Sequence, residues 1–331
     1  MRNKADNNTR QADQERFMLV AREDEALEGQ VEPKRNPFVT AVAFMLAAAI
    51  LIPLLNAEVK YLGVFYPVIQ LLWCRYFGHV VFMLAVFAPR KGPALLRSQR
   101  PWLQIVRSLL FCFTSFLMFC ALQYVPVATA AAVSFTAPMV VLVLAPFMLG
   151  EKVGLLKTVA VICGFVGALV VIQPGGDAFH PAVLLVLLSA CTSALTQILS
   201  RKLASHDTPE TSNTYMAAAG FVLTSLMLPF FWRSPDNLVH LGLLISMGIL
   251  GGCGHYCLVR AFEVAPAPFV APFTYLQIVG ASLLGYLLFS ELPNLWSCIG
   301  TFIIVLSGLV VLLGEQYLAS QRPRTSARSS D

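Results

Sequence analysis

Charge is what this sequence has least of. Asp, Glu, Lys and Arg make up 12% of its 331 residues, against about 25% in an ordinary soluble domain. A water-soluble core of this length cannot hide a chain that is 57% hydrophobic with a mean hydropathy of +0.71; a bilayer can. Other absences narrow the field further. There is no GxSxG, HExxH or Walker loop and no acid pair within a plausible cavity, and the short connections leave no room for a soluble catalytic domain, so an enzyme is not expected. None of the eight cysteines (Cys74, Cys112, Cys120, Cys163, Cys191, Cys253, Cys257, Cys298) forms a CxxC pair, and all lie in apolar stretches. That argues against a zinc site or an extracellular disulfide framework. Although the formal charge is +5, no basic stripe is interleaved with aromatics, so nucleic acid is not an expected partner.

What the sequence does have is apolar runs about 20 residues long, enough to cross some 30 Å of hydrocarbon. Breaks at charges, prolines and glycines delimit ten predicted spans: 38–57, 65–88, 102–122, 127–149, 155–173, 181–200, 212–232, 238–260, 267–290 and 295–316. The seventh is the weakest, because it opens on Ser212, Asn213 and Thr214. Residues 1–37 mix both charge signs, lack the apolar stretch of a cleavable signal, and read as a disordered cytoplasmic tail. With the N-terminus inside, twenty Lys and Arg fall on the cytoplasmic side and two, Lys60 and Arg233, on the other, with Arg75 inside a span. The asymmetry orients the chain and favours an even number of spans with both termini cytoplasmic.

The sequence also repeats itself. An offset of 140 residues aligns ALQYVPVATAAA from Ala121 with AFEVAPAPFVAP from Ala261, Pro126 with Pro266, Glu151 with Glu291, and Leu169-Val170-Val171 with Leu309-Val310-Val311. An offset near 142 superposes Pro67 and Gly78 on Pro209 and Gly220. Matching prolines and glutamates at span boundaries carry weight, since such residues are scarce there. Two halves of five spans each must insert with opposite orientation, giving inverted repeats about a pseudo-two-fold axis in the membrane plane. The expected fold is therefore an all-α integral membrane protein, with ten transmembrane helices as two inverted five-helix repeats. Inverted copies supply two near-equivalent packings, open to one side or the other, which is a transporter signal that channels share.

The duplicated pattern resembles the drug/metabolite transporter superfamily in its EamA-type ten-span branch. It consists of a span ending ALQYVP, a boundary glutamate (LGEK at 149–152, FSEL at 289–292), then a Gly-rich span ending VVIQPGG or VVLLGEQ. The resemblance covers about residues 38–316 and divides the chain into a tail (1–37), a first repeat (38–176), a second repeat (177–316) and a cytoplasmic tail (317–331). It implies a secondary transporter with a central cavity and no cofactor or metal. Substrates across such relatives range over amino acids, vitamins such as riboflavin, nucleosides, S-adenosylmethionine and drugs.

An ionisable side chain far from both interfaces is costly unless it is paired or faces water, so each is a candidate site. Arg75 sits near the middle of the second span. Its guanidinium either pairs with a substrate carboxylate or phosphate, ties backbone carbonyls, or snorkels. His79, one turn on, reads as a proton carrier or a structural histidine. His255, in Gly251-Gly252-Cys253-Gly254-His255-Tyr256, is the stronger proton candidate, unless those glycines serve only helix packing. In the ninth span Pro272 should kink the helix before Thr274, Tyr275 and Gln277, and Ser134, Phe135, Thr136 and Pro138 occupy the equivalent place in the fourth. These segments are either cavity wall or hinge. Asn56 and Gln197, at corresponding ends of the halves, bond substrate or lock helices. Trp73, Phe135, Tyr256 and Tyr275 could stack a planar cargo, and Glu151 and Glu291 read as structural ties at span ends.

The sequence thus reads as a transporter in the inner membrane of a bacterium, acting as a monomer or homodimer on a small molecule, with protons as the candidate coupling ion. A membrane sensor, an intramembrane enzyme or a channel is the alternative.

Overall fold

The computed structural model describes residues 37–149, 155–173, 180–265 and 270–320. Glu151 and Lys152, Pro266 and Pro268, the tail before residue 37 and the chain beyond 320 lie outside the described residues. Contacts divide the chain into two compact units, Met1–Thr40 and Ala41–Asp331. Of the first only residues 37–40, the start of a helix, are described. All the packing and the site below belong to the second.

Eleven α-helices follow one another among the described residues: α1 (Pro37–Leu62), α2 (Val68–Lys91), α3 (Pro101–Leu122), α4 (Val127–Ser134), α5 (Ala137–Leu149), α6 (Leu155–Ile172), α7 (Val183–Leu203), α8 (Pro209–Met227), α9 (Leu238–Val264), α10 (Leu276–Phe289) and α11 (Leu295–Ser320). There is no strand among the described residues. Six helical stretches are long and apolar enough to cross a membrane, and Thr158–Ile172, Phe273–Phe289 and Leu295–Val310 are shorter apolar helices. With α8 they make ten spans, the fourth being α4 and α5 end to end. Polar Thr211, Asn213 and Thr214 weaken the apolar signal of α8, but they are buried against protein rather than exposed to lipid.

Prolines and caps set the ends. Pro101 and Pro209 open their helices, where a missing N–H costs nothing. Asn237 Oδ1 caps α9 by accepting from the His240 N–H at 2.8 Å. The fourth and ninth spans break where expected. Pro138 has no N–H to donate back to Ser134, so α4 stops there and α5 begins afresh at Ala137. Hydroxyls of Ser134 and Thr136 donate to the Ala130 and Val133 carbonyls, each at 2.7 Å, at this interruption. In the ninth span a 3₁₀ turn over Ala271–Tyr275, containing Pro272, precedes the regular helix α10.

Packing reproduces the duplication. A pseudo-two-fold axis requires some spans to meet their own counterparts, and here span 2 packs on 7, 4 on 9 and 5 on 10. It also requires other contacts in exchanged pairs. Span 2 on 8 is answered by 7 on 3. Span 3 on 6 is answered by 8 on 1, where Gly254 lies against Leu51 and Ile52, and span 4 on 6 by 9 on 1, where Gly280 meets Ala49. The ten spans are two inverted five-helix repeats. Because lipid tails are as apolar as leucine, close van der Waals fit holds such helices together. The tightest example is α2 on α9: a Cβ at Gly78 would lie 2.4 Å from the Gly248 Cα. Outward-facing Leu84, Ile162, Val279, Leu283 and Phe302 present the apolar coat to lipid.

Polar ties sit at the two ends. At one, Asp207 accepts from the Ser98 hydroxyl, the Gln99 N–H and the Gln104 amide, and Lys91 pairs with Glu210 at 3.0 Å. At the other, Lys60 pairs with Glu291 at 2.6 Å, and the Gln70 side chain exchanges hydrogen bonds with the Arg233 backbone. Glu291 thus acts as the expected boundary tie.

Candidate functional site

Between the halves lies a cavity of about 240 Å³, walled by α1, α2, α3, α4, α7, α9 and α10. It sits a little under the roughly 300–1,000 Å³ of typical small-molecule pockets. Its polar centre is Arg75, which is 5% exposed. A guanidinium has five donors and no acceptor. One Nη donates to Ser115 Oγ and the other to His255 Nε2, both at 2.8 Å, while Nε has no partner. The rings of Tyr76, Phe111 and Phe119 lie 5.4, 5.4 and 5.5 Å from the guanidinium carbon, within cation–π range. Among the described residues no carboxylate pairs with it. Arg75 therefore neither ties backbone carbonyls nor snorkels; it is an internal cation with a donor to spare. Gly251 makes room for it, since a Cβ there would meet Arg75 Cγ at 3.2 Å.

His255 accepts from a group that only donates, so its Nε2 is unprotonated and the imidazole is neutral here. The His79 ring stacks at 6.4 Å from that of His255, but His79 is buried behind the wall and its Nδ1 is without a partner. Ser115 and His255 are counterparts at the 140-residue offset. The pseudo-axis thus passes close to the arginine that bridges them.

Of the residues singled out from the sequence, Asn56, Arg75, Ser134, His255 and Gln277 line the cavity, as does Phe135. The others stand outside it. Trp73 stacks on Phe77 at 5.0 Å and donates its indole N–H to Ser225. The Tyr256 ring belongs to a separate cluster with Phe44, Phe82 and Phe87. Gln197 is exposed and donates only to Ser193, at 3.3 Å. The Thr136 hydroxyl is consumed by its own turn. Thr274 does not line the cavity. The Tyr275 ring backs Phe135 at 5.0 Å, with its hydroxyl directed at Gly308. Phe135 and Tyr275 are also counterparts at the 140 offset, meeting where both spans break.

The sequence reading missed one whole wall, made of Phe111, Thr114, Ser115 and Phe119 on α3 and Ser189 and Ser193 on α7. Hydroxyls four residues apart in the apolar run of α7 were the available signal. Among the described residues no group of three or more His, Cys, Asp or Glu could hold a metal ion. The arrangement suits non-covalent recognition: one cation, several hydroxyls and amides, and aromatic faces. Asn56 and Gln277 have no side-chain hydrogen bond within the described protein, leaving their amides for a ligand or water.

Comparison with known proteins agrees with this architecture. The model of the EamA-like transporter family matches twice, over residues 39–173 and 180–313. The chain is 27% identical to an S-adenosylmethionine uptake transporter of Rickettsia felis, over 86% of this chain and 96% of that protein. It is 29% identical to a riboflavin transporter of Vibrio cholerae, over 83% and 93%. A pseudopaline exporter of Pseudomonas aeruginosa is 26% identical over 81% and 94%. A solved crystal structure 21% identical in sequence shares the fold at a TM-score of 0.58, covering 85% of this chain and 99% of the other. With the family's domain present in both inverted halves around one central cavity, this multi-pass membrane protein belongs to the EamA-like transporter family.

Proposed function

We propose that this transporter carries a small organic metabolite with a planar aromatic part and an anionic group, by alternating access of its inverted halves. The observation that carries the reading is Arg75, a buried guanidinium at the cavity with no carboxylate paired to it among the described residues and with Phe111 and Phe119 beside it. An incoming carboxylate or phosphate would compensate its charge and accept from the remaining Nη–H donors in charge-assisted bonds. Phe135 adds a third aromatic face to the wall. S-adenosylmethionine, named for one relative, combines a purine with a carboxylate, and riboflavin, named for another, has a planar ring system. The chain lies in a bacterial inner membrane with the Lys91–Glu210 end and both termini cytoplasmic, as the placement of Lys and Arg supports. A proton gradient drives the cycle.

The test is flux into proteoliposomes holding the purified chain, with S-adenosylmethionine, riboflavin and aromatic amino acids as probes. Saturable uptake of at least one is expected. Arg75→Lys, which keeps the charge and loses the planar fork, should lower kcat/KM for an anionic probe about tenfold or more. No saturable flux of any probe, or flux indifferent to Arg75 in folded protein, overturns the reading.

A further inference from the structure

Helix α1 runs to Leu62, five residues past the expected end of the first span at 57, so Glu58 lies inside the bundle. The residue is 9% exposed. One polar group reaches it: Ser246 of α9, whose Oγ is 2.9 Å from Oε1, while Oε2 has no partner. The same Ser246 Oγ lies 2.8 Å from the Leu243 carbonyl oxygen. A serine hydroxyl has a single proton to give. If that proton goes to the Leu243 carbonyl, the short contact with Glu58 needs a proton from the carboxyl, and Glu58 is an acid donating to Ser246. If it goes to Glu58 instead, a carboxylate is buried with one bond to a neutral hydroxyl and nothing on its second oxygen, which costs several kcal/mol.

Among the described residues no cation offsets that cost. Lys60, two residues on and so on another face of α1, is engaged by Glu291 and the Val125 carbonyl. His240, nearly two turns before Ser246 on α9, is bonded through Nδ1 to the Tyr66 hydroxyl, with the Asp236 carboxylate 3.9 Å away. The neutral acid is the arrangement that satisfies the hydroxyl and avoids a buried unpaired charge.

We infer that Glu58 is a proton-binding site of the transport cycle, protonated in this conformation and deprotonated when α1 and α9 part. The inference rests on the alternating-access reading, because α1 belongs to the first repeat and α9 to the second. On parting, the carboxyl O–H bond breaks, the proton passes to water, and a hydrated carboxylate remains; closure requires a proton to return. The offset near 142 sets Ser200 opposite Glu58, and Ser200 accepts from Arg107 Nε at 2.6 Å. The second repeat therefore has no matching acid, and one proton is exchanged per cycle at this place.

Two measurements on the full chain in lipid decide it. Infrared difference spectra of native protein against Glu58→Gln at neutral pH should show a protonated-carboxyl C=O band that is lost in the variant and shifted by carbon-13 glutamate. Absence of that band shows an ionised Glu58 and overturns the assignment, whatever the cargo. In proteoliposomes with S-adenosylmethionine and riboflavin as probes, a pH gradient should raise accumulation several-fold in the native chain. With Glu58→Gln the gradient effect should vanish while substrate exchange persists. Gradient-driven accumulation surviving in the variant, or flux in the native chain that ignores the gradient, overturns the coupling role. If neither probe moves in any protein, the substrate reading fails, and the infrared band still decides whether the site holds its proton.

Discussion

The contact between Gly78 and Gly248 makes a quantitative demand on the bundle. A Cβ built on Gly78 lies 2.4 Å from the Gly248 Cα and 2.9 Å from its carbonyl carbon, both backbone atoms that no rotamer change can move. Carbons in ordinary contact stand about 3.5–4.0 Å apart. Gly78→Ala therefore forces α2 and α9 apart by roughly 1 Å or more, an overpacking worth about 1–3 kcal/mol. Arg75 is three residues from Gly78, and its 2.8 Å bond to His255 spans the same two helices. An added 1 Å carries that bond past the roughly 3.2 Å limit of a sound hydrogen bond. The variant should thus melt earlier and also transport poorly. Thermal unfolding in detergent can be followed with a thiol-reactive dye, since Cys74 and Cys112 are buried and free. Gly242 on the same α9 is the internal control, because nothing lies within 4 Å of a Cβ there. Gly242→Ala should stabilise by about 0.5–1 kcal/mol through helix propensity alone. Native-like melting of Gly78→Ala and Gly248→Ala, or equal damage from Gly242→Ala, would refute the reasoning.

Other consequences are as direct. The Phe135–Tyr275 ring pair should show a coupling of about 0.5–1.5 kcal/mol in a double-mutant cycle to leucine, read by thermal melting. Burial alone would raise the Asp207 carboxyl, but hydrogen bonds from Ser98, Gln104 and the Gln99 N–H outweigh it and hold it below the usual range. A depressed pKa stabilises the fold above the unfolded value of about 3.9 and ceases to do so as pH falls through the folded value. Asp207→Asn should therefore lower the melting point at pH 7, with an effect that begins to shrink below about pH 4 and disappears only once pH has fallen through the lower folded value. Lys60→Met strands Glu291 and should cost about 1 kcal/mol, part of which the double variant with Glu291→Gln recovers, as a cycle of melting curves would show.

The ten spans and their inversion were legible because charges are rare in this chain, and because prolines and glutamates recur at matching span boundaries in the two halves. Asn56, Arg75, Ser134, His255 and Gln277 stood out for the same reason, and they line the cavity. Trp73, Tyr256 and Gln197 were equally conspicuous but stand outside it, since a residue's type does not reveal which way its helix is turned. Thr114 and Ser115 escaped notice for a different reason. Their hydroxyls bond the Leu110 and Phe111 carbonyls one turn back, an ordinary way for small polar residues to sit in an apolar helix. Glu58 is hidden by a boundary: the apolar run predicts the first span to end one residue before it, whereas α1 continues beyond it to Leu62.

The bridge from Ser115 through Arg75 to His255 has a consequence for energetics. Its two ends are counterparts in the duplicated halves, but its middle is not. The offset near 142 sets fully buried Ala217 opposite Arg75. In the alternating-access cycle we propose, identical halves would make the two end states equally populated without cargo, and neither side of the membrane would be favoured. The unmatched guanidinium, like the unmatched Glu58, would remove that degeneracy: if the halves exchange packings, the charge stays with the first and finds different neighbours. Under that cycle the empty carrier would have a preferred resting side, to which Arg75 contributes and which changing it would shift.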